Sequence, residues 1–409
     1  MYAIFSGYSF DQTNDEGWGP YLRTIQKSLG GMTSQSRLAQ THIRPERQNE
    51  FEAGVDLGFA NGYGDVGITG YNSKSTDVIF DTPRSPSSGY TSQLQNAATI
   101  SNKGLEVSLN VNPVTTSNFA WDVGLQWSRN KNIVTSLNGV KHVDIGGAFE
   151  GTPGTVEKGY AVGVFRGNDF VRCRYGQANM VDLDGDGIPD DVNAACKSAG
   201  APNGALFIDA SGFPNADPTD RVLSDPNPKW LGSVRTGFTI FKKFQLSGLL
   251  DIKKGGDVWN GTKGALYNFG THRETEIRNT DVVFGKTYRP GPVFGPGAGK
   301  TVQLTRTNWF QDLGSGFGPV ASQFMEDGSY VKLREISLAY TLDQSFIKNS
   351  FGLSSINLRV AGRNLRTWTK YTGIDPETNL AGAETLLRGV DYFNNPQTRS
   401  VVLSVGLNR

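Results

Sequence analysis

The chain of 409 residues has no apolar run of about 18 residues, which excludes a membrane-spanning helix. Its 40 basic and 39 acidic residues leave a net charge of +1, without the basic excess that nucleic-acid binding requires. Its three histidines are scattered and lack cysteine or glutamate at ligand spacing, which argues against a zinc site or a Ser-His-Asp array. No residue is singled out for catalysis, so we expect a protein that is not an enzyme and has no nucleic-acid partner.

What the sequence does contain is a series of ribbons in which apolar and polar residues alternate. Side chains of a strand alternate between two faces, so each ribbon separates two media. A transmembrane β-strand needs about 9–11 tilted residues, with apolar side chains towards lipid and polar ones inward. The ribbons therefore predict part of an antiparallel transmembrane β-barrel. The clearest begin at Phe51, Gly104, Phe119, Ile336 and Ser400.

The connections between ribbons alternate in length, and this alternation predicts the orientation of the barrel. Barrels of this kind have short periplasmic turns and long extracellular loops. Short turns are predicted at Phe59–Gly64, Asn112–Asn118, Phe241–Lys243 and Asp343–Leu353. Long segments rich in glycine, proline and asparagine are predicted at 11–44, 81–98, 131–229, 253–323 and 369–397. We expect about ten strands, with a first partial strand near Met1–Phe10 and its loop in 1–44, and the C-terminal barrel strands in 45–409.

Aromatic and charged residues within the ribbons fit a strand that crosses a membrane. Aromatic side chains near ribbon ends are typical of the girdles at the two membrane interfaces. They are Phe119, Trp121, Trp127, Tyr340 and Trp368. We predict that the charged side chains face a hydrated lumen. They are Glu52, Asp56, Glu106, Asp122 and Arg129.

The chain also carries short blocks that are similar to the SusC/RagA branch of TonB-dependent outer-membrane receptors. The first is Arg44–Arg47, which leads into the ribbon at Phe51. The others follow in order along the chain: Asn102–Glu106, Asp225–Trp230, Gly255–Asn260, Asp327–Arg334, Gly362–Leu365, Asp375–Asn379 and Asn395–Arg399. From the residues alone, we interpret these blocks as strand entries that specify the fold without touching substrate. In particular, Gly104 is expected where a loop bends into a strand.

The resemblance implies an importer of oligosaccharides or peptides in the outer membrane of a Gram-negative, Bacteroidetes-like bacterium, with several passes through the lipid. It implies gated passage powered by TonB, a plug inside the barrel, and a SusD-like lipoprotein over the extracellular loops. No segment here matches a plug, and residues 1–5 lack a secretory signal. We therefore expect a fragment, the C-terminal part of the barrel, that reaches TonB through a missing N-terminal part. Two alternatives remain: a passive porin or surface adhesin, and a secreted soluble all-β calcium-binding protein that acts on glycans.

Two features of the segment 131–229 predict a stiffened extracellular loop. Aspartates at calcium-loop spacing, followed by a backbone carbonyl, supply oxygen ligands for Ca²⁺. The predicted ligands are Asp182, Asp184, Asp186, Ile188 and Asp190. The alternative is a solvated acidic turn. Cys173 and Cys196 flank this motif and form one disulfide in an oxidising compartment, the alternative being two free thiols.

Aromatic residues with neighbouring amides in two long loops are the candidate substrate contacts. Aromatic faces beside amides suit the stacking of sugars and the capture of peptides. The alternative is that the loops pack on themselves or on a partner. The predicted substrate-binding residues are Trp259, Asn260, Tyr267, Tyr371, Tyr392 and Phe393.

Overall fold

The main sheet contains nine long antiparallel strands, each paired with its neighbours in sequence, and the short segment Arg37–Leu38 pairs in parallel with one of them. The computed structural model describes residues 22–26, 31–34, 37–38, 40, 42–59, 62–145, 154–343, 352–382 and 386–409. The strands are β1 (Arg47–Phe59), β2 (Gly64–Pro83), β3 (Ser92–Thr115), β4 (Phe119–Leu137), β5 (Pro228–Ile240), β6 (Phe244–Gly255), β7 (Tyr330–Leu342), β8 (Ser355–Thr369) and β9 (Ser400–Asn408). The predicted antiparallel all-β architecture is confirmed. The tenth predicted ribbon, near Met1–Phe10, lies outside the described residues.

The connections at one end of the sheet are short: 60–63, 116–118, 241–243 and 343–354. Those at the other end are 84–91, 138–227, 256–329 and 370–399; the last three are long as predicted, but 84–91 is shorter than 343–354. Two predicted loops were drawn too long, because β2 runs to Pro83, β3 begins at Ser92 and β4 runs to Leu137. These extensions bury apolar side chains such as Phe80 and Val134 in one cluster. No helix in the described part of the chain is long and apolar enough to cross a membrane.

Strand register defines an outer, apolar face and an inner, polar face of the sheet. Directly opposed residues share a face, as Leu338 does with Val360, and Leu358 with Val405. These apolar side chains are exposed, as is Leu403, which is 78% exposed on β9. On the inner face, polar or small residues are opposed in the same way across β1 to β4: Asp56, Gly67, Ser108 and Gln126. The sheet therefore has the two-sided wall that the alternation predicts.

The register corrects one predicted position on this wall. Arg129 was expected to face the lumen, but it lies opposite Leu105, which belongs to the exposed outer face. The other predicted luminal charges keep their inner positions; Glu106 and Asp122, for example, share the face of Ser108 and Gln126. The reason is simple parity: Arg129 is an odd number of residues from Asp122, and side chains alternate along a strand.

The three longest connections, 138–227, 256–329 and 370–399, fold together into what we term the loop layer. Its helices are α1 (Val192–Ser198) and α2 (Gly261–Phe269). Its short strands are His142–Ile145, Gly154–Glu157, Val164–Gly167, Met180–Val181, Asp190–Asp191, Leu206–Phe207, Arg221–Ser224, Asp257–Asn260, Thr280–Val282, Phe284–Gly285, Tyr288–Pro290, Val293–Phe294, Val302–Leu304, Met325–Asp327 and Val390–Asp391. Short helical turns lie at Arg273–Ile277, Arg306–Phe310 and Ser322–Phe324, and another, Pro86–Ser88, connects β2 to β3. Three short segments precede β1, at Leu22–Gln26, Gly31–Ser34 and Arg37–Leu38.

The loop layer has its own hydrophobic core, centred on the fully buried Trp309. The Trp309 ring lies 5.0 Å from that of Phe284 and 6.2 Å from that of Phe170. Its indole nitrogen donates a hydrogen bond of 2.9 Å to the Tyr288 hydroxyl, so the buried polar group is satisfied. All three connections contribute side chains to this core, including Val390 from the last one. The long loops are thus a packed layer over one end of the sheet.

Candidate functional site

The loop layer is tied to the inner face of the sheet by a group of opposite charges. Asp375 and Glu377 belong to the connection 370–399, whereas Lys332 belongs to β7. The Lys332 ammonium nitrogen lies 2.7 Å from Asp375 Oδ1 and 2.7 Å from Glu377 Oε2. Only 3% of the Lys332 side chain is exposed, so this buried cation needs both carboxylates to offset its loss of hydration.

Arg334 extends the same group to a second strand. Its Nη2 donates to Glu377 Oε1 at 2.6 Å and to Asp251 Oδ2, on β6, at 2.7 Å. The Gln397 side-chain amide also donates to Glu377 Oε2, at 2.8 Å. We use the name carboxylate clamp for Asp251, Lys332, Arg334, Asp375 and Glu377. Its parts come from β6, β7 and the last long connection, so it fixes that connection against the inner wall.

The electrostatics of the carboxylate clamp favour an ionised Glu377. Burial alone would raise the pKa of Glu377, but the hydrogen bonds and charges of Arg334 and Lys332 outweigh it and lower that pKa to about 2. Asp375 has a second role, because its Oδ1 accepts a hydrogen bond of 3.0 Å from the Glu377 amide. That local turn presents both carboxylates to the same strand.

Five of the sequence blocks also meet pairwise at this end of the sheet. The Gly255 amide donates to the Ser329 hydroxyl at 2.8 Å. The Asp257 amide donates to the Asp225 carbonyl at 2.9 Å. In the same way, blocks at Gly362–Leu365 and Asn395–Arg399 are joined where the Asn364 amide donates to the Thr398 carbonyl at 3.1 Å. The blocks therefore do more than begin strands: they join the loop layer to the sheet.

Two polar concavities open on the inner face of the sheet. One, of 420 Å³, lies on strands β1 to β6 and has acidic and amide side chains in its lining, namely Asp56, Glu106, Gln126 and Asp251. The other, of 430 Å³, lies beside the carboxylate clamp and is lined by Lys332, Asp375, Gln397 and Arg399, among others. Polar side chains in a water-accessible concavity suit a hydrated path for a polar solute.

Most of the predicted substrate contacts lie inside the loop layer. Trp259, Asn260, Tyr267 and Tyr371 are each at most 5% exposed. The Trp259 ring is stacked on that of Tyr392, with centroids 6.1 Å apart. Burial keeps these four side chains away from any solute in this conformation. Phe393, at 53% exposed, is the most accessible member of the set, and Tyr392 is half-buried.

The polar groups of this buried set are satisfied internally. The Asn260 side chain accepts a hydrogen bond of 3.0 Å from the Lys263 amide and so caps α2. The Tyr371 hydroxyl donates to Asp391 Oδ2 at 2.6 Å, and the Tyr267 hydroxyl donates to Glu274. Burial, followed by these carboxylate partners, raises the pKa of both tyrosines. Their environment is that of a folded core.

The acidic loop brings three of its five predicted ligands together. Carboxylate oxygens of Asp182, Asp184 and Asp190 all lie within 4.8 Å of one another. The carboxylate of Asp182 accepts hydrogen bonds from the amides of Gly185, at 2.6 Å, and Gly187, at 2.9 Å. These amides lower the pKa of Asp182, so its carboxylate is held ionised at the centre of the turn. Three carboxylate groups at this separation could hold a hard divalent cation.

Asp186 is not part of that carboxylate group, and the Ile188 backbone carbonyl stays a predicted ligand. Instead, Asp186 Oδ1 accepts a hydrogen bond of 2.7 Å from the Ile188 amide. Nearby, Cys173 and Cys196 form a disulfide with their Cα atoms 5.9 Å apart. Both cysteines are buried in a small cluster that includes Val192 of α1. The disulfide thus links α1, which follows the acidic loop, to the segment that precedes this loop.

Gly104 is a block residue whose role differs from the predicted one. It lies in the interior of β3, directly opposite Tyr71 of β2, and not at a bend between loop and strand. A Cβ atom at this position would overlap the Tyr71 ring. The ring therefore covers the glycine, an arrangement that compensates a glycine within a sheet. Only the register, which brings Tyr71 opposite, could reveal this requirement.

Residues 4–365 match the family described as TonB dependent receptor-like, beta-barrel. The chain belongs to this family. The TonB-dependent receptor P3 of Formosa agariphila is 26% identical over 379 residues, which make up 90% of this chain and 34% of that protein. The TonB-dependent receptor SusC of Bacteroides thetaiotaomicron is 23% identical over 385 residues, 92% of this chain and 33% of that protein.

A solved structure supports the same receptor fold. The RagAB peptide transporter superposes with a TM-score of 0.64 at 16% identity, over 96% of this chain and 38% of that chain. The predicted likeness to the SusC/RagA branch is therefore confirmed, and the relatives are named as receptors, not as enzymes. The chain spans about a third of the length of the receptors it matches. Outer-membrane barrels carry their long loops at the extracellular end.

Proposed function

We propose that this chain is the C-terminal barrel portion of a TonB-dependent importer in the outer membrane of a Gram-negative, Bacteroidetes-like bacterium. The observation that carries the proposal is the two-sided sheet, apolar outside and polar inside, with folded loops over one end. The outer face contacts lipid through several membrane passes, and the inner face lines the path of the cargo. The process is gated binding and passage, without a covalent reaction.

The proposed cargo is an oligosaccharide or a peptide, and the proposed partners follow from the relatives. TonB would supply energy through the part of the protein that precedes this chain. A SusD-like lipoprotein would cover the loop layer from outside. The similarity to the receptor named SusC and to the RagAB peptide transporter supports these assignments. Among the predicted contacts, exposure favours Phe393 as the one that meets cargo or partner.

Uptake by the intact receptor in its own bacterium tests the proposal. A strain that lacks the receptor gene is complemented with the wild type or with Phe393→Ala, and uptake of labelled oligopeptides and oligosaccharides is measured with and without TonB. Phe317, equally 53% exposed in the loop layer, supplies the matched control Phe317→Ala. Loss of an aromatic contact of about 1.5–3 kcal/mol predicts uptake at limiting cargo that is roughly tenfold to a hundredfold lower for Phe393→Ala. Uptake that persists without TonB would favour a passive porin.

We also propose that the acidic loop binds a structural Ca²⁺ ion through Asp182, Asp184 and Asp190. Their mutual distance of at most 4.8 Å and the ionised state of Asp182 support this assignment. Affinity in the range of extracellular calcium modules, about 10⁻⁴–10⁻³ M, is expected. Calorimetry should detect binding by the wild type and by the control Asp281→Asn, but not by Asp184→Asn. Equal heats from all three proteins, or none from the wild type at several millimolar, would contradict the site.

A further inference from the structure

The charges on β1 to β4 are separated by sign between the two faces of the wall. We consider the part of these strands between the short turns and the level of Lys74, Lys103 and Lys131. The register places every acidic side chain of this part on the inner face. These residues are Glu50, Glu52, Asp56, Asp65, Glu106 and Asp122. The charged side chains on the outer face of the same stretch are all basic. Such a distribution points to an anionic neighbour outside the barrel wall.

Four basic residues form what we term the outer basic cluster: Lys74, Lys103, Arg129 and Lys131. Lys103 lies directly opposite Lys131, and Arg129 lies opposite Leu105 on the same face. Lys74 lies opposite Ser101, one step along the outer face from Lys103. All four residues are exposed. The cluster therefore spans three adjacent strands.

The outer basic cluster has no described counter-charge within the protein. None of the ion pairs found among the described residues involves any of its four members, and the nearest described pairs on this wall, those of Asp77, involve Arg44 and Arg47. Like charges directly opposite each other destabilise a strand pair. Two facing lysines beside an arginine are therefore a costly arrangement for the sheet alone, and an anion that bridges them would remove the cost.

The position of the cluster identifies where that anion comes from. Towards the short turns, the outer face continues from Lys103 to Leu105 and Val107, and from Arg129 to Trp127 and Leu125. An aromatic residue followed by aliphatic ones is the usual order from headgroup level into the hydrocarbon. The cluster thus lies at the edge of the apolar surface that is nearer to the loop layer.

We propose that the outer basic cluster binds the phosphate groups of an anionic glycolipid of the outer leaflet. The acyl chains of that lipid would lie along the apolar surface below, against residues such as Leu105 and Trp127. Lysine and arginine pair with phosphate through charge-assisted hydrogen bonds, and arginine does so with two donors. The site goes beyond the proposed import and rests only on the outer-membrane position of the receptor.

Lipid binding by the intact receptor in nonionic detergent tests this proposal. Native mass spectrometry would follow binding of diphosphorylated lipid A by the wild type and by Lys74→Gln/Lys103→Gln/Lys131→Gln. With about 1 kcal/mol for each of the three basic residues near an anionic lipid surface, we expect affinity lower by roughly a hundredfold. The matched control replaces three exposed loop-layer lysines, in Lys158→Gln/Lys197→Gln/Lys286→Gln, and should bind as the wild type does.

Further measurements separate lipid binding from a general charge effect or a folding defect. The charge-preserving Lys74→Arg/Lys103→Arg/Lys131→Arg should keep wild-type affinity. Dephosphorylated lipid A should bind weakly, and inorganic phosphate alone should not displace the lipid, because it lacks acyl chains. If the triple glutamine variant does not assemble, the salt dependence of lipid binding by the wild type is measured in its place. Salt should weaken this binding, because it screens the charges of the cluster.

Equal affinity of the wild type for phosphorylated and dephosphorylated lipid A would overturn the proposal. So would unchanged binding by the glutamine variant, or wild-type binding that is insensitive to salt. Because this assay needs neither TonB nor cargo, its failure is distinguishable from a failure of the proposed import.

Discussion

Replacing Glu377 with glutamine should loosen the last long connection from the inner wall. Glu377 accepts hydrogen bonds from Lys332, Arg334 and Gln397, and its pKa falls from an ordinary 4.5 to about 2. At about 1.4 kcal/mol per pKa unit, that difference corresponds to about 3 kcal/mol. Because 29% of the Glu377 side chain is exposed, we take about 2 kcal/mol as the expected loss in Glu377→Gln.

Hydrogen exchange of the intact receptor measures this loss locally. A penalty of about 2 kcal/mol predicts that amides tied to the clamp, such as those of Glu377 and Gln397, exchange roughly thirtyfold faster in the variant. The same change at the exposed Glu276, in Glu276→Gln, is the control and should leave these amides unaffected. Unchanged protection in Glu377→Gln would refute the reasoning, because the carboxylate clamp would then not hold the connection.

The pH dependence of the wild type provides a second check on the same residue. A carboxyl group whose pKa is lower in the folded state contributes stability that is fully present above its unfolded pKa of 4.5. This contribution is lost as the pH falls through the folded value, about 2. Protection, corrected for intrinsic exchange, should therefore fall between pH ~5 and pH ~3 in the wild type and stay flat in Glu377→Gln. Parallel profiles would contradict the assignment.

Two further substitutions test other parts of the structure. Replacing both Cys173 and Cys196 with alanine should destabilise the loop layer by about 3 kcal/mol, as expected for loop closure over a separation of 23 residues. Near-ultraviolet circular dichroism during heating should show a lower unfolding midpoint in this variant. An unchanged midpoint would contradict the stabilising role of the disulfide. Gly104→Val should cost about 1–3 kcal/mol because its side chain would displace the Tyr71 ring. Gly70→Val is the control, since a Cβ there meets only one backbone oxygen, 3.9 Å away. Heat-modifiable migration of the receptor should change for Gly104→Val alone. An equal change in both variants would refute the role of the Tyr71 ring.

Alternation predicted the strands and turns because a strand at a lipid boundary shows its two faces directly in the sequence. The ribbon at Ser400, for example, became β9 with its apolar residues exposed. The same alternation places Arg129 on the outer face with Trp127, so the sequence itself contained what was needed for the correct assignment. By contrast, strand ends at Pro83 and Leu137 were misplaced because their apolar residues pack against loop segments, a tertiary effect that local patterns do not contain.

The candidate site was less predictable, because its parts come from distant segments. Lys332 and Glu377 both lay in blocks noted in the sequence, but their pairing depends on where the connection 370–399 folds back. Composition also failed to separate buried from exposed aromatic residues: Trp259 and Phe393 occur in similar amide-rich segments, yet one is in the core and the other is accessible. Burial in long loops is decided by contacts far away in sequence.

The shared core around Trp309 limits how the entrance of the receptor can open. Side chains from all three long connections interlock there, so none of these connections can swing far alone without leaving a cavity. Widening of the entrance at this end must be concerted, with the layer moving as one piece. Its hinges would then lie where the chain passes from the strands into the layer.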